Sequence, residues 1–182
     1  GLLLNPLTGW KKAGDFSEEA VRAGYRAMLA AYYPAAKVHF AELRTPMRYA
    51  GPREAVFHAL VRRNLGCTHF IIGRDHAGVG DYYAQYAAHE LAAKLQREGD
   101  GLGIELLLMR EPYWCERCAQ IVSDRTCNHY ATHRVPVSAT LIRQMLAQGK
   151  RPDPRFMRAE VADAIIALGD RMFIAKEETC NG

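Results

Sequence analysis

Two stretches of the chain bring together residue types that do chemistry. In "CTHFIIGRDHAGVGDYY", Cys67 to Tyr83, an apolar run ends at Gly73 and is followed by Arg74, Asp75 and His76, then Ala77, Gly78 and Gly80. Glycines permit positive φ and close approach of the backbone, so successive N–H groups can converge on an anion. Arg74 can hold a phosphate or sulfate by paired hydrogen bonds and His76 can donate to developing charge, which makes them the catalytic candidates. In an ordinary turn the same triplet would be a surface Arg–Asp pair with a packed imidazole. In "CERCAQIVSDRTCNH", Cys115, Cys118, Cys127 and His129 follow the spacing C-x2-C-x8-C-x-H. Three thiolates and an imidazole fill a tetrahedral zinc shell and leave no open position, so the expected role of the metal is structural. His133 is an alternative fourth ligand on the same short loop.

Other positions speak more weakly. Arg48 and Arg53 flank an Ala-Gly-Pro turn in "TPMRYAGPRE" that starts a helix, and helix N-termini attract anions. Ser138 and Thr140, with Arg143, stand at another helix start in "VSATLIRQML", where a serine is more often simply the N-cap. His39, His58, His69 and His89 fall within helix or strand patterns and are expected to be structural. No G-x-x-x-x-G-K-[ST] loop and no G-x-S-x-G elbow occurs.

The elements that must position these residues alternate. "GLLLNPLTG" reads as a buried strand and turn, and Asp15 or Ser17 can cap a helix over "EEAVRAGYRAMLAAYY" that Pro34 stops. "KVHFAEL" is a second strand. "GPREAVFHALVRRNLG" is a helix with Pro52 in its first turn and Gly66 at its end. "THFIIG", "DYYAQYAAHELAAKLQRE" and "GIELLLMR" continue as strand, helix and strand. After the cysteine-rich insert come a short helix in "SATLIRQMLAQG", one more in "DPRFMRAEVADAIIALGDRMF" and a linker-like end, "IAKEETCNG". This alternation predicts an α/β fold with a parallel sheet and helices on both faces, in which ligands bind at the carboxyl ends of the strands.

Bulk composition narrows the class. With 182 residues, 49% hydrophobic and 24% charged, the chain is ordinary globular material for one full-sized domain and a small appendage. Its 24 Lys and Arg against 20 Asp and Glu are scattered, which favours local anion pockets over a nucleic-acid surface. No apolar run approaches the roughly 20 residues of a bilayer span, so a soluble, cytoplasmic protein is expected, without membrane or nucleic-acid partners. Five cysteines, three of them within thirteen residues, point to metal ligation in a reducing compartment rather than a disulfide framework.

The stretch "MRYAGPREAVFHALVRRNLGCTHFIIGRDHAGVGDYY" resembles the ATP sulfurylase family, the sulfate adenylyltransferases. "NPLTGWKKAGD" is similar to the family's His-Pro-x-x-Gly-x-x-Lys-x-Gly-Asp segment, with Asn5 where histidine is usual, and the zinc insert with Ser138, Thr140 and Arg143 resembles the bacterial and archaeal branch. The resemblance implies a Rossmann-like nucleotidyltransferase fold, and the reaction of ATP with sulfate to give adenosine 5′-phosphosulfate and pyrophosphate. It also implies Mg²⁺ on the ATP phosphates, nucleotide contacts from Gly73, Arg74, Asp75 and His76, and a sulfate contact from the Ala77 N–H. Arg48, Ser138 and Thr140 are further anion candidates. A homo-oligomer and a fused or associated adenylylsulfate kinase are the expected partners.

The family's Gln-x-Arg-Asn and His-x-x-His segments are absent. "RRNLG" contains Arg-Asn but ends a helix and takes no such role. The expectation is thus a fragment of a longer enzyme, or else a sulfurylase-like domain that has lost half its site and scaffolds or regulates a kinase. The expected division is residues 1–112 as the partial Rossmann-like core, 113–136 as the zinc-binding insert and 137–182 as a helical C-terminal segment.

Overall fold

The computed structural model describes residues 1–99 and 102–175. Two units form, Gly1–Met47 with Pro136–Gly182, of which residues up to 175 are described, and Arg48–Val135. The last part of "IAKEETCNG", with Cys180, lies outside the described residues.

In the first unit, β1 (Leu2–Leu4) and β2 (Val38–Phe40) pair in parallel, Leu2 opposite Val38 and Leu4 opposite Phe40. The pairing continues past the strand ends as a parallel bridge between Leu7 and Leu43, so "NPLTG" runs beside Ala41–Thr45. Asn5 donates its side-chain amide to the Ala41 carbonyl. Between the strands runs α1 (Glu18–Tyr32). Ser17, not Asp15, is its N-cap and accepts from the Ala20 N–H at 3.1 Å, with Glu18 and Glu19 in the first turn where the helix dipole favours them.

The C-terminal helices α4 (Ala139–Ala147) and α5 (Ala159–Ile166) share one core with α1, built on Ala20, Leu146, Ala162, Ile165 and Met172. Gly24 of α1 lets α5 come close: a Cβ there would stand 3.3 Å from the Ile165 side chain. Phe16 and Phe173 stack with centroids 5.1 Å apart, which fastens the segment after α5 to the start of α1.

The second unit holds α2 (Pro52–Asn64), β3 (His69–Ile72), α3 (Ala87–Glu98) and β4 (Glu105–Leu108). β3 and β4 are parallel, His69 opposite Glu105 and Ile72 opposite Leu108. Ala55 and Ala59 of α2, Ala88 and Ala92 of α3, and Ile72, Ile104 and Leu106 form their common core. Alanine at these four helix positions brings both helices close to the strands. Pro52 opens α2 where its missing N–H costs nothing, and Gly66, with φ of 91°, closes it.

Two expectations shift in detail. In place of the single parallel sheet expected, the described residues form two parallel pairs, β1 with β2 and β3 with β4. The helix expected from Asp81 begins at Ala87, because Asp81–Tyr86 are used in turns that bring Tyr83 over Gly51. Among the described residues no helix is long and apolar enough to cross a membrane.

The remaining strands build the insert: β5 (Tyr113–Cys115) lies between β6 (Gln120–Val122) and β7 (Arg134–Pro136). Its small core is Tyr113, Cys115, Val122 and Cys127, with Arg134 over the Tyr113 ring.

Candidate functional site: the strand-end loop and the metal cluster

Parallel pairing of β3 and β4 ends both strands on the same side, so the loops that follow them emerge next to each other. Arg74, after β3, pairs there with Glu111, after β4. The loop between Gly73 and Gly80 is tightly shaped. Asp75 (φ 50°) and Ala77 (φ 57°) both adopt the left-handed region, which costs a non-glycine residue of order 1 kcal/mol or more. Such strain persists only where neighbours over-determine it. Asp75 donates its N–H to the Gln85 carbonyl at 2.7 Å, and Gly78 returns to the Asp75 carbonyl at 3.2 Å. A Cβ at Gly78 would collide with the Asp75 carboxylate. Below the loop, buried His89 of α3 lies 3.0 Å from the Ile72 carbonyl and 3.2 Å from that of Gly73. Among the described residues, the N–H groups of His76 and Ala77 find no protein acceptor, so two adjacent donors are presented by one turn. Adjacent backbone donors of this kind are the groups from which anion sites are built.

A second loop joins this one. Gly51 donates its N–H to the Ala77 carbonyl at 2.9 Å, and buried Glu54, in the first turn of α2, accepts from the Arg48 and Ala50 N–H groups at 2.9 Å each. The carboxylate thereby folds "RYAG" back over the helix start, while the Arg48 residue is exposed. His76 turns inward: its Nε2 lies 3.2 Å from Nδ1 of His58 on α2, and its ring meets Phe70 edge-on. Burial, with His58 and Arg62 nearby, pushes its pKa down to about 4. His58 is lowered as well, chiefly by burial. Both imidazoles are therefore neutral at pH 7.

The four expected metal ligands converge. His129 Nδ1 lies 3.4, 3.3 and 3.5 Å from the Sγ atoms of Cys115, Cys118 and Cys127. Cys127 Sγ stands 3.6 Å from that of Cys115 and 3.7 Å from that of Cys118. A tetrahedral zinc ion, with Zn–S about 2.3 Å and Zn–N about 2.0 Å, separates its ligand atoms by about 3.8 Å (S to S) and about 3.5 Å (S to N). The cluster fits such an ion in number, donor type and spacing, and the described cysteines form no disulfide. The thiols differ in ease of ionisation: a hydrogen bond from the His129 backbone draws Cys127 down to about 6, while burial pushes Cys118 up to about 11. A dication removes the conflict between adjacent thiolates. His133, its ring 6.4 Å from that of His129, stands outside the set.

Thus Gly73, Arg74, Asp75, His76 and Ala77 lie on one loop, with Arg48 on the loop bonded to it. Ser138 and Thr140 belong to the other unit, where Ser138 caps α4 by accepting from the Leu141 N–H at 3.2 Å and Thr140 is exposed. From the sequence His58 and His89 are expected to be structural, and Glu54 has no part beyond beginning a helix. Their signal was present as Glu54, His58 and Arg62, four residues apart and so on one face of α2, all buried. A polar stripe on the inner face of a helix asks for a reason.

The model of the ATP-sulfurylase family matches residues 1–167. The chain is 51% identical over 170 residues to the sulfate adenylyltransferase of Aeropyrum pernix, covering 93% of this chain and 43% of that protein. It is 49% identical to that of Hyperthermus butylicus over 91% of this chain and 42% of the relative. Against that of Deinococcus radiodurans the figure is 45%, again over 91% and 42%. The chain therefore spans less than half the length of these relatives. Among solved structures, the hexameric APS kinase from Thiobacillus denitrificans superposes with a TM-score of 0.61 at 20% identity, over 90% of this chain and 29% of that one, a likeness of fold. With the family model running from β1 through α5, the chain belongs to the ATP-sulfurylase family.

Proposed function

We propose that this chain contributes one wall of a sulfate adenylyltransferase site, in a Rossmann-like nucleotidyltransferase domain that converts ATP and sulfate to adenosine 5′-phosphosulfate and pyrophosphate. The observation that carries the reading is the Gly73–Gly80 loop, which in a chain of this family holds two left-handed residues and two open N–H groups at the end of β3. A sulfate oxygen attacks the α-phosphorus in line, the O–P bond to sulfate forms, and the bond to the pyrophosphate oxygen breaks. No protein nucleophile is needed, so the residues position the reactants and balance charge. Gly73, Arg74, Asp75 and His76 line the nucleotide, and the Ala77 N–H meets sulfate. Arg74 supplies the cation once it exchanges Glu111 for a phosphate, and Arg48, Ser138 and Thr140 are secondary anion contacts. Mg²⁺ bound with ATP would supply counter-charge to the phosphates.

The Cys115, Cys118, Cys127 and His129 cluster holds a structural zinc in the insert. A division into residues 1–112, 113–136 and 137–182, a homo-oligomeric cytoplasmic enzyme, and association with an adenylylsulfate kinase complete the reading. The test is incorporation of labelled sulfate into adenosine 5′-phosphosulfate by the whole protein with ATP and Mg²⁺. Incorporation with matching pyrophosphate release is expected. Bound ATP without any transfer would contradict it.

A further inference from the structure

Glu54, His58 and His76 form a chain in the interior of the second unit. Glu54 Oε1 lies 3.5 Å from His58 Nε2, and His58 Nδ1 lies 3.2 Å from His76 Nε2. Glu54 and His58 are 4% and 3% exposed, so bulk solvent screens their contact little. The His58 Nε2 atom has no aligned hydrogen-bond partner and faces the carboxylate. A lone pair there would oppose carboxylate lone pairs, whereas an N–H is attracted to them even when imperfectly aligned. The proton of His58 therefore sits on Nε2 and leaves Nδ1 as an acceptor. His76 must then supply the shared proton from its own Nε2.

We propose that Glu54 and His58 are positioning residues that hold His76 in its Nε2–H tautomer, so that the strand-end loop meets its ligand with an unprotonated Nδ1. At this position the loop offers a hydrogen-bond acceptor, suited to a hydroxyl, amino group or bound water of a nucleotide. Recognition of anionic oxygens falls to the backbone N–H groups and Arg74. The charged and titratable groups facing the pair agree: Glu54 and Arg62 from α2 and His89 from α3, with apolar Phe70 from β3. Burial and the Arg62 guanidinium both disfavour an imidazolium, and the single carboxylate is already committed to two backbone N–H groups.

The ligand class rests on the proposed adenylyltransferase reading, but the tautomer does not, and the test separates them. Long-range ¹H–¹⁵N spectra of the whole protein labelled with ¹⁵N-histidine should show His76 with a pyrrole-type Nε2 and a pyridine-type Nδ1, unchanged from pH 7.5 to pH 6. An Nδ1–H tautomer, or an imidazolium growing in by pH 6, would overturn the inference whether or not the protein makes adenosine 5′-phosphosulfate. His58→Asn places an oxygen acceptor where Nδ1 stood and should keep the tautomer and most of the activity. His58→Leu should give mixed tautomers and lower kcat/KM at least 10-fold. Equal effects of the two variants on both readouts would assign His58 a packing role only and overturn the proposal.

Discussion

Gly51 donates its backbone N–H to the carbonyl of Ala77 at 2.9 Å, a bond between the loop that opens α2 and the loop that follows β3. Gly51 has φ of 54° and ψ of −121°, a conformation in which a side chain is strained, and a Cβ there would lie 2.6 Å from the Tyr83 ring. The two loops thus behave as one structural piece. Perturbing either should be felt at both.

Gly51→Ala should cost about 1–3 kcal/mol from backbone strain, with displacement of Tyr83 in addition. Urea unfolding measures the cost, and ATP affinity should fall in parallel. An unchanged midpoint and affinity would mean that the loops are independent.

Gly78→Ala should act locally. The added methyl collides with the Asp75 carboxylate and not with the core, so the stability loss should stay near 1 kcal/mol, while turnover falls at least 10-fold as the N–H groups of His76 and Ala77 are re-aimed. Paired urea and steady-state measurements distinguish this from general unfolding.

These two positions show how much was legible. Pro52 and Gly66 announced helix ends through local chemistry, with Ser17 beside Asp15 as a candidate cap, and the C-x2-C-x8-C-x-H spacing named the cluster, with His133 as the alternative to His129, because its residues lie close along the chain. The Arg74 to Ala77 loop was legible as a strand end. The role of Glu54 was not, because it depends on α2 folding "RYAG" back against its carboxylate. Nor was the start of α3, since Tyr83 fits a helix by propensity and is held in a turn by its contact with Gly51. The sharing of one core by α1, α4 and α5 joins residues more than a hundred positions apart and has no periodic signature.

Acidification should weaken the fold through the buried imidazoles. The folded pKa of His76 is about 4, against about 6.5 for an unfolded histidine, so between these values the unfolded chain holds the proton that the folded chain refuses. The contribution is fully present above pH 6.5 and is lost as pH falls toward 4, by at most about 3 kcal/mol. Urea midpoints at pH 7.5 and 5.0 should differ in wild type and differ less in His76→Gln, with Glu42, Asp124 and Asp153 held below the usual carboxylate range by hydrogen bonds from Arg22, Arg110 and Arg155.

Metal removal should unfold the insert. One zinc per chain is expected, and His129→Ala should weaken its retention by more than about 100-fold while His133→Ala leaves it bound. Metal analysis after dialysis against a chelator decides the matter. Loss of zinc from the His133 variant alone would reassign the fourth ligand.

The central claim, that the loop after β3 is a wall of the adenylyl and sulfate site, is tested most directly by amide hydrogen exchange with and without adenosine 5′-phosphosulfate. New protection of the N–H groups of His76 and Ala77 is expected, with slower exchange of the already bonded N–H groups of Arg48, Ala50 and Gly51 on the neighbouring loop. Saturating ligand that protects other segments and leaves these two amides exchanging as before would contradict it.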